Sequence, residues 1–388
     1  MSDLYPTLKP NSTIGILGGG QLGRMICFAA HKLGYKTLIF SDTKNSPASF
    51  VCNQTIVADY LDKNALMEFA NKVDIVTFEF ENIPTQTVEF IASEAQFNKP
   101  VFPNANVLKI TQNRLCEKDF INQIGIKTTE YKAVDSLAGL RLAVKELTST
   151  NQNLYQKPTQ CLNSSVLKTT TMGYDGKGQI VINQESNLEE IWQSFSNKET
   201  SSNLQNPKLI LEKFTEFKQE ISVIVARSAN GEIACYQPLT NIHKNGILHQ
   251  SIYPANISQE TRQNAIEIAT KIVTKLSLVG VLAVEFFVLK NDELLVNELA
   301  PRPHNSGHFS MDACYTSQFE QLVRAISGLP LGDTDFYLKG YMKNLIGEDV
   351  LEIEKYLDNK KAKLHLYGKD KIATGRKMGH INFLEGNQ

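Results

Sequence analysis

The apolar residues of this 388-residue chain change their spacing part-way along it, and that change limits the fold more than any single motif does. IGILG (14–18) reads as a short buried strand, and glycines 18, 19, 20 and 23 follow at once. Leu22, Met25, Ile26, Ala29, Ala30 and Leu33 then recur on one helical face until Gly34 stops the helix. KTLIF (36–40) and TIVA (55–58) are further strands, Asp62 caps a helix to about Lys72, and VDIVTFEF (73–80) is a longer apolar strand. Strand and helix alternate, so residues 1 to about 110 form an open parallel α/β unit. A helix is expected over Leu108–Gln123, closed by Gly125, and the polar stretch 148–153 is a loop. Beyond it the pattern becomes one of hairpins. SVIVARS-ANG-EIACYQ (222–237) turns at Asn230-Gly231, a second turn falls at Asn245-Gly246, and GVLAVEFFVLK-ND-ELLVNELAP (280–301) is a third hairpin. A long amphipathic helix covers about 259–277.

The length exceeds one core and implies two to three domains. A formal net charge of -1 provides no global field for nucleic acid or a membrane surface, so any anionic ligand must be met by local cations. Cys27, Cys52, Cys116, Cys161, Cys235 and Cys314 form no C-x-x-C pair, as expected of small buried hydrophobes in a reducing compartment. The N-terminus has no apolar core, and no run reaches the roughly 18–20 residues of a membrane span, so a cytoplasmic protein is expected.

Gly18-x-Gly20-x-x-Gly23 between strand and helix matches a dinucleotide fingerprint, with Asp42 placed for a ribose. The glycines allow a tight turn and the approach of an anion to the helix N-terminus, without saying which anion. The third hairpin says more. With Asn291-Asp292 as a two-residue turn, Glu285 and Glu298 lie opposite each other on one face. At about 4 Å and an effective dielectric near 20 their repulsion is about 4 kcal/mol. A hard divalent cation such as Mg2+, sharing its shell with phosphates, would offset it. Otherwise both acids face solvent, or the register slips by one. A third motif is Lys168 followed by Gly173-Tyr174-Asp175-Gly176-Lys177-Gly178-Gln179, which suits a lid over phosphates or a plain hairpin loop, and it is not a Walker A loop.

Taken in order, these motifs resemble the ATP-grasp superfamily. GGGQLGRM (18–25), TFEFEN (77–82), MGYDGKGQ (172–179), VLAVEFF (281–287), NELAPRPHNSGH (297–308) and GRKMGHIN (375–382) resemble the N5-carboxyaminoimidazole ribonucleotide synthetases, from about residue 12 to 384. The resemblance implies an α/β and α+β protein with an ATP-grasp fold. A Rossmann-like pre-ATP-grasp domain would cover 1–112, an ATP-grasp domain 113–330 (lid about 125–210, larger subdomain about 211–330), and a small C-terminal domain 331–388. It implies ATP- and bicarbonate-dependent carboxylation of 5-aminoimidazole ribonucleotide through carboxyphosphate, with Mg2+, without biotin, in a homodimer.

The residue roles it implies are these. Glu285 and Glu298 hold the metal. Arg114 and Lys168 meet the ATP phosphates, and the loop Gly173 to Gln179 covers them. Glu212, Lys213, Phe214 and Thr215 hold adenine, Glu220 the ribose, and His243 and Asn297 add nucleotide contacts. Gly20, Gln21, Leu22, Tyr174, Asp175, Lys177, Lys369 and Arg376 meet the ribonucleotide, the last two as a phosphate clamp. Arg302, His304 and Asn305 line the acyl-phosphate site, with Glu79 nearby. Two departures stand out: Lys177 replaces the usual Arg, and Ala300 occupies the place of a metal-binding Asn in many other ATP-grasp enzymes. The alternatives are a formate-dependent glycinamide ribonucleotide transformylase, an NAD-linked oxidoreductase built on Gly18–Gly23, and a catalytically inactive binding protein.

Overall fold

The computed structural model describes residues 7–93, 99–149, 164–173, 178–196 and 208–385, so most of the 148–153 stretch and Tyr174 to Lys177 lie outside it. The N-terminal unit holds β1 (Thr13–Leu17), α1 (Gln21–Lys32), β2 (Lys36–Ser41), β3 (Gln54–Val57), α2 (Lys63–Asn71), β4 (Ile75–Phe78) and α3 (Thr85–Ser93). Its strands are parallel, in the order β3-β2-β1-β4. Strands β1 and β4 read as apolar runs because both faces of the sheet are covered. The chain winds out from β1 to β3 and returns on the other side of β1. The winding thus reverses between β1 and β4, and the loops after these two strands open into a crevice of the kind where open α/β sheets bind ligands.

One expected helix is two. Instead of a single helix over Leu108–Gln123 there are α4 (Ala105–Thr111) and α5 (Arg114–Gln123). Between them Asn113 is extended, and its side chain accepts from the N–H groups of Leu115 and Cys116, which starts a new helix. The break places Arg114 at the head of α5.

The next unit is an antiparallel sheet of β5 (Tyr131–Val134), β6 (Ser165–Thr169), β7 (Gln179–Ile182) and β8 (Leu209–Lys213) in the order β5-β8-β6-β7. The helices α6 (Leu137–Ser149) and α7 (Leu188–Ser196) cover it through Leu140, Leu147 and Phe195. A larger sheet takes the rest: β9 (Gln219–Arg227), β10 (Ile233–Cys235), β11 (Leu239–Lys244), β12 (Ile247–Tyr253), β13 (Gly280–Val288), β14 (Leu294–Ala300), β15 (Lys339–Ile346), β16 (Ala362–Leu366) and β17 (Lys377–Glu385). Its order is β14-β13-β9-β11-β12-β15-β17-β16, with β10 beside β9, so the C-terminal strands extend the sheet of the preceding unit. Around it lie α8 (Gln259–Lys275), α9 (Ser310–Ala313), α10 (Gln318–Ser327) and α11 (Glu354–Leu357). Ile26 and Ala30 of α1 share a core with Phe319 and Leu322 of α10, which fixes the N-terminal unit to the large sheet.

The third hairpin reaches the expected pairing by another route. Its loop has three residues, Lys290 to Asp292, and Leu289 pairs with Glu293. Asp292 takes the left-handed conformation, at φ +66°. The register is therefore one residue off the two-residue-turn reading from Val288–Leu294 to Phe286–Val296. A bulge at Asn297 then restores it, and Glu285 pairs with Glu298.

Candidate active site

Glu285 is mostly buried, and burial followed by the charge of Glu298 pushes its carboxyl up to about 8. Its Oε1 lies 3.3 Å from His304 Nε2. Burial, followed by the charges of Arg302 and Lys377, drives the His304 pKa far down, so the ring is neutral. Nδ1 of that ring accepts from the Ser306 N–H at 3.3 Å, which leaves the proton on Nε2, toward Glu285. On the other strand, Glu298 Oε2 lies 3.3 Å from Arg114 Nη1, and Arg114 Nη2 donates to the Gly173 carbonyl at the same distance. The bulge sets Asn297 beside Glu298. Among the described residues no cluster of three or more His, Cys, Asp or Glu side chains stands ready for a metal. Two carboxylates with open positions suit a cation that completes its shell on phosphates.

A second group surrounds β8. Lys168 Nζ of β6 lies 2.7 Å from Glu212 Oε2, and Lys118 Nζ of α5 lies 3.5 Å from Oε1. Burial opposes the charge on Glu212, yet Lys118 and Lys168 hold its carboxyl below the ordinary value. The sequence reading missed Lys118, because a lysine in an ordinary helix gives no sign that it is buried. The Lys213 N–H donates to Glu130 O, and the Phe214 N–H donates to Ser164 O. Glu220 pairs with His243 Nδ1, and the ring of Phe217, in the loop before β9, stacks 4.5 Å from that of Phe287 in β13. Burial works against protonation of His243, while Glu220 lifts it above the ordinary value.

The crevice of the N-terminal unit is already occupied by a carboxylate of the chain itself. Glu79 accepts from the Gly20 N–H at 2.6 Å and the Gly23 N–H at 3.0 Å. Burial raises its pKa. A Cβ on Gly20 would lie 2.5 Å from Glu79 Oε1. The helix N-terminus that a dinucleotide pyrophosphate would use is thus taken, which removes the observation behind the NAD-linked alternative. Just beyond, Glu81 grips Arg302 with both oxygens. Both groups are partly buried, and although burial opposes ionisation of Glu81, Arg302 holds its carboxyl low.

Part of this set meets in one cavity of about 340 Å3, whose lining does not include Glu285, Lys168, Glu212, Glu220 or His243, while Lys213, Phe214 and Thr215 line a second cavity. Gly20, Gln21, Leu22 and Glu79 line the first from the N-terminal unit, Arg114 and Gly173 from the middle, and Glu298, Arg302, His304 and Asn305 from β14 and the loop after it. Both amide atoms of buried Asn305 lack a protein partner. Gly178 and Gln179 lie at the start of β7, beside Thr169 and Lys168. Of the expected tail cations, Lys369 Nζ donates to the Lys377 carbonyl at 2.6 Å and Arg376 Nη1 to the Lys371 carbonyl at 2.8 Å. The cavity lining instead includes their neighbour Lys377. Tyr174, Asp175, Gly176 and Lys177 lie outside the described residues.

Comparison with known proteins bears on all three units. Residues 11–112 match a ribonucleotide synthetase preATP-grasp domain, 119–319 an ATP-grasp domain, and 340–388 a phosphoribosylaminoimidazole carboxylase C-terminal domain. The N5-carboxyaminoimidazole ribonucleotide synthase of Bacillus subtilis is 43% identical over 97% of this chain and 93% of its own length. A solved ADP complex of an N5-carboxyaminoimidazole ribonucleotide synthetase superposes with a TM-score of 0.88 at 42% identity, over 98% of this chain and 94% of that one. The Aspergillus clavatus N5-carboxyaminoimidazole synthase, solved with ADP and 5-aminoimidazole ribonucleotide, superposes with a TM-score of 0.82 at 28% identity, over 97% and 94%.

Proposed function

From the premise that the chain belongs to the N5-carboxyaminoimidazole ribonucleotide synthase family of ATP-grasp ligases, we propose how its own residues perform the reaction. The enzyme uses ATP to carboxylate the amine of 5-aminoimidazole ribonucleotide in purine biosynthesis, releasing ADP and phosphate. The observation that carries the reading is the cavity in which Glu298, Arg302, His304 and Asn305 converge.

The nucleotide lies between the two antiparallel sheets. Lys168 and Arg114 meet its phosphates, with the 173–179 loop over them, where Lys177 supplies charge without the fork of an arginine. The backbone of Glu212, Lys213, Phe214 and Thr215 holds adenine. Glu220 serves the ribose, and His243 and Asn297 flank the nucleotide. Glu285 and Glu298 fit a Mg2+ ion, because they are opposed oxygen donors whose joint ionisation is otherwise unfavourable. Bound there, the ion would offset charge on the phosphates during transfer to bicarbonate.

Carboxyphosphate then lies at Arg302, which Glu81 holds in place, with neutral His304 and the two free amide atoms of Asn305. The amine takes the carboxyl group from carboxyphosphate, or takes CO2 released from it, as the C–O bond to the bridging oxygen breaks; the phosphate leaves with the electron pair of that bond and takes up the proton that the amine loses. Gly20, Gln21, Leu22, Glu79, Tyr174 and Asp175 surround the ribonucleotide, whose phosphate meets Lys369, Arg376 and Lys377. We take the units as 1–112, 113–330 and 331–388, and the enzyme as a cytoplasmic homodimer without biotin. Among the described residues no helix is long and apolar enough to cross a membrane.

The test is ADP release with Mg2+, ATP and bicarbonate, with and without 5-aminoimidazole ribonucleotide. A large, bicarbonate-dependent increase is expected. Activity only with glycinamide ribonucleotide and formate would move the enzyme to the transformylase reading.

A further inference from the structure

Gln318 opens α10 and is fully buried. Its carboxamide brackets one residue. Oε1 accepts from the His304 N–H at 2.8 Å, and Nε2 donates to the His304 carbonyl at 2.7 Å. A side chain here does to one loop residue what a neighbouring strand does in a sheet. The second amide hydrogen reaches His308 Nδ1 at 3.1 Å. The fit is close, since a Cβ on Gly307 would lie 2.6 Å from Oε1.

His304 is extended, at φ -121° and ψ 151°, between the end of β14 and the 3-10 turn Asn305–Phe309. It presents Nε2 to Glu285 and lines the cavity beside Asn305. We propose that Gln318 is a positioning residue for carboxylation: its amide holds His304, and with it Asn305, at the transferred carboxyl group while touching no reactant. The proposal rests on the reading of the cavity given above. The same amide ties this loop to the C-terminal strands. The His308 ring lies 4.7 Å from that of His380 in β17, and Asn382 Nδ2 donates to the His308 carbonyl at 3.1 Å. Lys377, a cavity cation, begins β17. One buried side chain therefore holds the reactive loop in step with the strand that brings Lys377.

Gln318→Leu keeps the volume and removes all three hydrogen bonds. In the assay above its kcat falls about tenfold to a hundredfold, since a displacement near 1 Å can cost that much. The KM for ATP stays within about twofold, because the nucleotide contacts lie on other elements. The 15N signals of the His304 ring lose the wild-type tautomer signature. Gln318→Glu, which keeps the acceptor for the His304 N–H, recovers part of kcat. If the leucine variant does not fold, Gly307→Ala displaces the carboxamide with Gln318 intact and gives the same loss of kcat. A folded Gln318→Leu with unchanged kcat, or with an unaltered His304 signature, overturns the proposal. His304→Ala separates the two levels. Full activity there overturns the cavity reading and the role of Gln318 with it, whereas an inactive His304→Ala beside a fully active Gln318→Leu overturns this proposal alone.

Discussion

Arg302 shows what a sequence can and cannot say about a residue. Its place in NELAPRPHNSGH marks it as a candidate, but its partner Glu81 lies 221 positions earlier, and no spacing rule reaches that far. Its partial burial favours such a partner, since a guanidinium drawn out of water without a counter-charge is unfavourable. Glu81→Gln keeps the shape and removes the charge, so the fold should survive while kcat falls by about tenfold to a hundredfold. Equal kcat in the two proteins would show that Arg302 needs no such anchor. Glu298→Ala is more severe, because it removes one of the two opposed carboxylates. ADP release should fall by about a hundredfold or more with the circular dichroism unchanged. Appreciable residual turnover would remove Glu298 from the metal site. Lys118 and Glu117 were illegible for a related reason. They sit on a short helix whose polar residues give no sign of which face is buried.

At the scale of elements, the strands and helices of the N-terminal unit were readable because parallel strands are apolar throughout and their helices keep one apolar stripe. The third hairpin was readable only in its result. A three-residue loop and the bulge at Asn297 each shift the register by one residue, in opposite senses, so the pairing of Glu285 with Glu298 survives. Asn291-Asp292 lacks the glycine that favours a two-residue turn, which is the cue for the longer loop. The break at Asn113 was hidden because an asparagine reads equally as a helix-surface residue and as a cap. Helix α1 gives an element-level prediction through the two unlike glycines at its ends. Gly34 ends α1 at φ +81° with nothing within 4 Å of a Cβ, so Gly34→Ala should cost ~1 kcal/mol and leave turnover alone. Gly20 has an ordinary φ of -76°, but its Cβ would meet the Glu79 carboxylate. Gly20→Ala should cost ~1–3 kcal/mol and also displace Glu79 from the cavity wall, lowering kcat. Thermal melts and ADP release measured on both variants check this. Full activity in Gly20→Ala would show that Glu79 can leave its two N–H groups without consequence.

For the whole molecule, two buried carboxyls tie stability to pH. Glu285 and Glu117 are both pushed up to about 8 from an ordinary 4.5, in each case by burial first and the charge of Glu298 second. A carboxyl with a raised folded value binds more protons when folded than when unfolded. Its stabilising contribution is therefore full below about 4.5 and is lost as pH rises through about 8. The protein without nucleotide should melt at progressively lower temperature between about pH 6.5 and 8, where the buried histidines His304, His308 and His380 are neutral whether folded or unfolded and the two carboxyls set the sign. Glu117→Gln, which cannot ionise, should make that slope shallower, since it eliminates one of the groups with a raised folded value. Binding of Mg2+ with ATP works in the opposite direction, because a cation at Glu285 and Glu298 competes with the proton on Glu285. The rise in melting temperature caused by Mg-ATP should therefore be larger above pH 8 than below pH 6. A differential scan at both pH values, with and without Mg-ATP, makes the measurement. A rise of equal size at both would mean that the cation binds without displacing a proton, and Glu285 would lose its place as a ligand.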